Sequence, residues 1–195
     1  MYIRKKILFL LPLIFSLTVL SSDIEEIIVK GEYREKSLGE EDSSIAVIQS
    51  EQIKSQAIKH FQQLSHLVPN LNYAASDSRA RYFQIRGIGE RSGYQGTPNS
   101  SVGFLIDDID YSGQGGIATL FDVDQVEVFR GPQGSRSGAN ALAGLIYIKT
   151  KDPTEKFEGT SELTLGDYGT QNIGVAFGGP MQNKKLKYRL VPVSY

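Results

Sequence analysis

Apolar and polar positions alternate most clearly from residue 102 onward. Val102 to Asp110 reads as an apolar strand ending in acidic residues. Gln125 to Arg130 puts Val126 and Val128 on one side and Glu127 and Phe129 on the other, the two-residue period of a strand. Leu145 to Thr150 gives a further apolar strand, so Phe121 to Pro153 is a strand, a Gly-rich turn and a second strand. Thr160 to Leu165 and Ile173 to Phe177 alternate as half-buried strands, and Lys187 to Val193 starts a third. Glycines at 159, 166, 174 and 178 thin these last strands, which weakens a free-standing sandwich and suits the wall of a large barrel.

The first half is more varied. Ile27, Ile28 and Val29 are three β-branched residues in a row and favour an extended edge strand. Residues 32–44 are charged and polar with no apolar period, which predicts an exposed, flexible tether. Ile45 to Ile48 is a short strand, and Ser50 is a candidate N-cap for a helix opening with Glu51 and Gln52. Ala57, Phe61, Leu64 and Val68 draw one stripe along that helix, and Pro69 stops it. Tyr82, Phe83 and Ile85 then form a strand leading to Arg86, and Gly-rich loops follow at 87–101 and 111–118. Strand, helix, then strands with long loops is an α+β arrangement and not a repeated βαβ unit.

The N-terminus stands apart from this pattern. Arg4, Lys5 and Lys6 precede an apolar run from Ile7 to Leu20, and Ser21 and Ser22 follow, which reads as an export signal over residues 1–22. Its loss removes three of the 21 basic residues and none of the 22 acidic ones, so the mature chain is mildly acidic. That balance argues against a nucleic-acid partner. The chain has no cysteine, which excludes disulfides, thiolate metal sites, a cysteine nucleophile and lipidation on cysteine.

Catalytic signals are weak. Gly87, Gly89 and Gly93 miss the dinucleotide-binding spacing by one residue, and Gly131 to Gly138 lacks the Lys-Ser/Thr ending of a phosphate-binding loop. His60 and His66 fall on different faces of the predicted helix and do not make a metal pair. Asp107, Asp108 and Asp110 could hold a hard cation or act as an acid and base, but alternation turns Asp107 away from the other two. A solvated strand end accounts for them. No metal site and no cofactor is expected.

Five strings then make a pattern together: IRGIG (Ile85 to Gly89), FLIDDIDY (Phe104 to Tyr111), VEVFRGPQG (Val126 to Gly134), GANALAG (Gly138 to Gly144) and IYIKTKDP (Ile146 to Pro153). In order and spacing they resemble the plug domain of TonB-dependent outer-membrane receptors, over roughly residues 24 to 180. EEIIVKG, Glu25 to Gly31, is similar to the family's TonB box, and the strands after Pro153 resemble the opening of its barrel. Asp108, Ser137 and Tyr147 depart from the family's usual Gly, Tyr and Asn and leave the ligand class open.

The resemblance implies an α+β plug with a small mixed sheet, short helices and long Gly-rich loops, followed by the first antiparallel strands of an incomplete transmembrane β-barrel. The divisions it implies are a signal peptide (1–22), a TonB box with its tether (23–44), the plug (45–153) and barrel strands (154–195). It makes the chain the gate of an energy-coupled importer and not an enzyme, exported to the outer membrane. The ligand would be scarce and small: an iron chelate, vitamin B12 or an oligosaccharide. In such receptors a barrel of about 22 strands needs its lumen filled. TonB would add a strand to Glu26, Ile27, Ile28, Val29 and Lys30, and main-chain hydrogen bonds would carry the pull.

Arg86 and Arg130 match plug arginines that pair with barrel glutamates, here expected beyond Tyr195. Arg79, Arg81, Arg91, Tyr94, Gln95, Tyr111 and Gln114 lie in loops that would face the ligand. Three strands leave unpaired edges that a bilayer does not tolerate, so these 195 residues are expected not to transport alone, whether as part of a longer protein or as a truncated product. Two readings compete with this one: a self-sufficient periplasmic binding module with a plug-like fold, and an exported enzyme built around Asp107, Asp108 and Asp110.

Overall fold

The computed structural model describes residues 26–75, 79–92, 99–115, 118–182 and 185–194. The export signal, Glu25, Tyr94 and Gln95 lie outside the described residues. The chain runs through β1 (Ile28–Val29), β2 (Lys36–Ser37), β3 (Ile45–Gln49), α1 (Ser50–Ser55), α2 (Phe61–Leu64), β4 (Leu71–Ala75) and β5 (Ala80–Ile85). It continues with β6 (Val102–Ile106), β7 (Ile109–Asp110), β8 (Val123–Phe129), α3 (Gly134–Ser137) and β9 (Gly144–Thr150). The wall strands are β10 (Glu158–Leu165), β11 (Gln171–Pro180), β12 (Lys187–Leu190) and β13 (Val193–Ser194).

A mixed five-stranded sheet in the order β3-β8-β9-β6-β7 forms the centre. Only β6 and β9 pair in parallel, and the other neighbours are antiparallel. The alternation predicted for β8 is realised on two layers, and the apolar strand predicted at 145–150 is β9, whose side chains divide between the same two layers. Val126, Val128, Ile146 and Ile148 enter the larger core with α1, α2 and the β4–β5 hairpin. Phe129, Leu145 and Tyr147 enter a smaller one on the opposite face, together with Val29 and Leu105. A strand buried on both faces is expected to be almost wholly apolar, and β8 departs from that at Gln125 and Glu127.

Within the larger core, Phe61 meets Phe83 and Phe104 edge-on at 5.1 Å, while Phe83 and Phe104 stack at 5.5 Å. Edge-to-face and offset contacts of this kind are the favoured aromatic geometries. After the plug, β11 lies between β10 and β12 in an antiparallel sheet, and β13 also pairs with β11.

Three local expectations are corrected. The single helix predicted from Ser50 to Val68 is two, because the chain leaves α1 through a left-handed residue at Ala57, φ 52. Ala57 N–H donates to the Lys54 carbonyl and Ile58 N–H to the Ile53 carbonyl, both at 3.0 Å, the paired bonds of a helix-ending Schellman turn. The break lets Ile53 and Ile58 both enter the core, at 3% and 7% exposure, which a continuous helix would prevent. Ala57 itself is exposed, while Phe61, Leu64 and Val68 remain buried. Ala57→Gly is therefore expected to stabilise the chain by about 1 kcal/mol, since the strain of a Cβ at positive φ exceeds the entropy that glycine adds to the unfolded state. A denaturant midpoint that stays put or falls would contradict this.

The strand read from Val102 to Asp110 is a hairpin. Asp107 and Asp108 take φ of 46° and 72°, and β7 folds back on β6. Aspartate tolerates this left-handed pair better than most residues do. The stretch 32–44 is not wholly a free tether either, since β2 pairs with β1 and Leu38–Glu40 form a 3-10 turn. Leu38 packs against the smaller core, and its N–H donates to the Ile27 carbonyl at 2.8 Å. One leucine and a short hairpin hold a segment whose composition carries no apolar period.

Candidate functional site

The residues expected to bind TonB are folded down onto the plug. Val29 is fully buried, and Ile28 and Val29 pair with Ser37 and Lys36. The opposite edge of the segment is met by side chains of β8. Glu127 accepts the Lys30 N–H at 2.6 Å on one carboxylate oxygen and the Gly31 N–H at 2.8 Å on the other. Gln125 donates from Nε2 to the Ile28 carbonyl at 2.8 Å and also to the Glu127 carboxylate. Lys30 Nζ reaches Asp124 at 2.6 Å. Glu26 is exposed at the head of this segment.

Glu127 is 0% exposed, and burial raises its pKa above the ordinary carboxylate value, with the hydrogen bonds from Lys30, Gly31 and Gln125 opposing that shift. Gly31 lets the backbone approach closely: a Cβ there would lie 2.7 Å from the Glu127 carboxylate and from the Phe129 ring, so a side chain would force one of them to shift. Farther along the hairpin, the Arg136 guanidinium sits over the Tyr33 ring at 4.7 Å and the Tyr147 ring at 5.5 Å, and it pairs with Asp108. The sequence placed Glu127 beside Phe129 without giving it a role. Its signal was a carboxylate in the middle of a strand, between Gln125 and Phe129 on one face and flanked by Val126 and Val128 on the other.

The loop residues expected to face a ligand are brought together only in part. Arg79 Nη1 lies 2.6 Å from Nδ1 of His60, whose pKa is lowered by burial and then by the Arg79 charge. Arg81 Nε donates to the Gly113 carbonyl at 3.1 Å, and its guanidinium lies over the Tyr82 ring at 5.6 Å. The β4–β5 hairpin thus touches the 111–115 loop, where Tyr111 packs against the larger core and Gln114 is exposed. Arg91 is exposed on the other Gly-rich loop.

Arg86 is exposed at φ 53, and its N–H donates to the Asn70 carbonyl at 2.9 Å. Arg130 is half-buried, and its Nε is buried with no hydrogen-bond acceptor among the described residues. A desolvated guanidinium N–H is costly to leave unmet.

The acidic trio does not form a centre. Asp107 accepts from the Thr150 N–H at 3.0 Å and from its hydroxyl, Asp108 pairs with Arg136, and Asp110 accepts from Asn140 at 2.9 Å and the Ser112 N–H at 2.7 Å. Among the described residues, no group of three His, Cys, Asp or Glu side chains is placed to hold a metal ion.

The plug meets the wall strands through contacts the sequence did not disclose. Arg189 on β12 donates from Nε and Nη2 to the two Asp122 carboxylate oxygens, the second at 2.6 Å. Lys59 pairs with Glu162 on β10. The Phe121 ring occupies the space beside Gly174, where a Cβ would come within 2.8 Å of it.

The sequence profile of the TonB-dependent receptor plug domain matches residues 37–145. The chain is 25% identical over 179 residues to the pesticin receptor of Yersinia pestis, covering 91% of this chain and 26% of that protein. It is 24% identical over 139 residues to the ferripyoverdine receptor of Pseudomonas aeruginosa, covering 71% of this chain and 16% of the receptor. The chain therefore spans about a quarter or less of the length of these curated relatives. The crystal structure of the ferric yersiniabactin uptake receptor from Yersinia pestis superposes with a TM-score of 0.67 at 25% identity, over 77% of this chain and 24% of that one. The outer-membrane ferripyoverdine receptor of Pseudomonas aeruginosa, bound to ferripyoverdine, superposes with a TM-score of 0.70 at 20% identity, over 86% and 22%.

Proposed function

Because this chain belongs to the TonB-dependent receptor plug-domain family, we propose that it is the gate of an energy-coupled importer in the outer membrane. The gate binds and releases and carries out no reaction on its cargo. Residues 26–30 couple it to TonB, and Arg86 and Arg130 seat it against barrel glutamates. The cargo is an iron chelate, the class named by relatives that take up ferric yersiniabactin and ferripyoverdine. Arg79, Arg91, Tyr111 and Gln114 offer cationic and polar contacts from loops, where binding residues concentrate, and Arg81 offers one from the start of β5.

One observation carries this reading: Ile28 and Val29 already form a strand that pairs with β2, the same main-chain pairing that TonB would supply by strand addition. The unmet Nε of Arg130 supports the docking role, since a carboxylate on the barrel wall would satisfy it.

Ile28→Pro in the complete receptor is expected to abolish uptake while ligand binding stays intact, because proline removes a strand donor and fixes φ. Binding and uptake are measured on the same cells with the radiolabelled iron chelate. Uptake at the parent rate would remove residues 26–30 from the coupling role.

A further inference from the structure

Arg79 is exposed just before β5, yet its side chain is held: Nη1 lies 2.6 Å from Nδ1 of His60. A guanidinium has donors only and keeps its charge, so Nδ1 must accept and the imidazole proton must sit on Nε2. His60 is thus neutral, in one tautomer, while this contact stands. The next residue of the chain is held from the same place, since Gln62 Oε1 accepts the Ala80 N–H at 2.9 Å. The frame that carries His60 is itself fixed. Its N–H donates to Gln63 Oε1 at 3.1 Å, its carbonyl accepts the Gln63 N–H at 3.0 Å, and its backbone bridges to Thr119. Phe61, the residue that follows, is buried between the Phe83 and Phe104 rings. The imidazole therefore stands on a rigid base and sets the direction of Arg79.

We propose that His60 is a positioning residue for the cargo: it holds Arg79 through one N–H and leaves the remaining guanidinium donors aimed at anionic oxygens of the iron chelate. This rests on the proposed contact between Arg79 and the cargo, and it adds the group that fixes its direction. It also makes the presentation of Arg79 depend on pH. Burial, and then the Arg79 charge, lower the pKa of His60 below its ordinary value, which keeps the imidazole neutral at neutral pH. Among the described residues, Arg79 is the charge that acts on it, while the adjacent Lys59 is paired with Glu162 on β10. The contact is present above that lowered pKa. It is lost as pH falls through it, when Nδ1 takes a proton and two cations face each other.

The test measures binding to the complete receptor on cells, with ferric yersiniabactin and ferripyoverdine, the chelates that name its relatives, as probes. Arg79→Met is expected to weaken binding about tenfold or more at neutral pH, the effect of one charge-assisted hydrogen bond. His60→Phe keeps a ring and removes the acceptor. It should weaken binding by a comparable factor, and the double variant should lose no more than Arg79→Met alone. His60→Asn places an amide oxygen where Nδ1 stood and does not titrate. It should bind like the parent at neutral pH and hold that affinity in mild acid, where the parent weakens. Comparing the two on the same probe cancels any titration of the chelate. Unchanged binding in His60→Phe would overturn the proposal, and so would one pH profile shared by the parent and His60→Asn. Should His60→Phe fail to reach the membrane, the His60→Asn profile decides.

A second measurement reads the same contact without cargo. The 195-residue chain has two histidines, so His66→Gln leaves His60 as the one imidazole to follow by nuclear magnetic resonance. It should show the Nε2–H tautomer and titrate below the ordinary histidine value, and adding Arg79→Met should move that titration up. Normal cargo binding by Arg79→Met, with the titration still moved, removes Arg79 from the cargo site and keeps its hold by His60. A parent that binds neither probe rejects that cargo class. The imidazole then decides alone: an Nδ1–H tautomer or an unmoved titration overturns the hold, and the expected pair of results sustains it.

Discussion

Asp122→Ala is expected to loosen the wall strands from the plug and to lower the stability of the chain by about 3 to 5 kcal/mol, the usual effect of stranding one partner of a buried ion pair. The Arg189 and Asp122 side chains are 11% and 5% exposed, so solvent offers the guanidinium little relief. Both carboxylate oxygens are engaged by the guanidinium, which makes the pair directional as well as charged. Glu158 also acts electrostatically on Arg189, which favours the lower end of that range.

Asp122 adopts φ 61, so Asp122→Asn separates backbone from charge, because asparagine tolerates the left-handed region. It should lose less than alanine. Adding Arg189→Met to Asp122→Ala should recover part of the loss, since the stranded cation is then gone. These values come from denaturant unfolding. A double variant no more stable than Asp122→Ala would mean that the pair is not the source of the effect.

Phe61→Ala is expected to cost roughly 3 to 5 kcal/mol, through lost burial and the cavity left between two rings. Phe61 is 1% exposed and touches Phe83 and Phe104 at once, so no neighbour can collapse into the space without breaking another ring contact. The effect reaches the candidate ligand loops. Phe83 lies on β5 between Arg81 and Arg86, and Gly115 packs so closely on the Phe83 and Phe104 rings that a Cβ would approach both at 2.7 Å. Phe61 N–H also donates to the Ala118 carbonyl. Phe61→Leu should retain most of the stability, because it preserves much of the volume. Hydrogen exchange of the Phe61→Ala chain should show faster exchange in residues 79–85 and 111–115, with β10 and β11 unchanged. Uniform acceleration across the chain would contradict this local anchoring.

Much of the fold was legible where the signal was local. The faces of β8 follow from a two-residue alternation visible within Gln125 to Arg130, and Val126, Val128 and Phe129 fall as predicted. The helix was misread because a stripe of Ala57, Phe61, Leu64 and Val68 fits one continuous helix as well as two. The deciding fact is that Ile53 and Ile58 both turn inward, which depends on the core they meet.

The site divided in the same way. Residues 26–30, Arg86 and Arg130 could be singled out because short motifs carry them. Glu127 could not, since its partners Lys30 and Gly31 lie 97 and 96 residues upstream. Asp122 and Arg189 are 67 residues apart and read locally as a turn residue and a strand residue.

The sequence by itself determined the longer alternating and apolar strands, the two faces of β8, and the motifs that mark the chain as a plug, because periodicity and turn chemistry act between neighbours along the chain. Only the tertiary structure decided that Glu127 and Gln125 hold the backbone of Ile28, Lys30 and Gly31 and that Arg189 of β12 is fastened to Asp122. The physical reason is desolvation: a charge or backbone group removed from water must find a partner nearby in space, and the fold brings that partner from far along the chain.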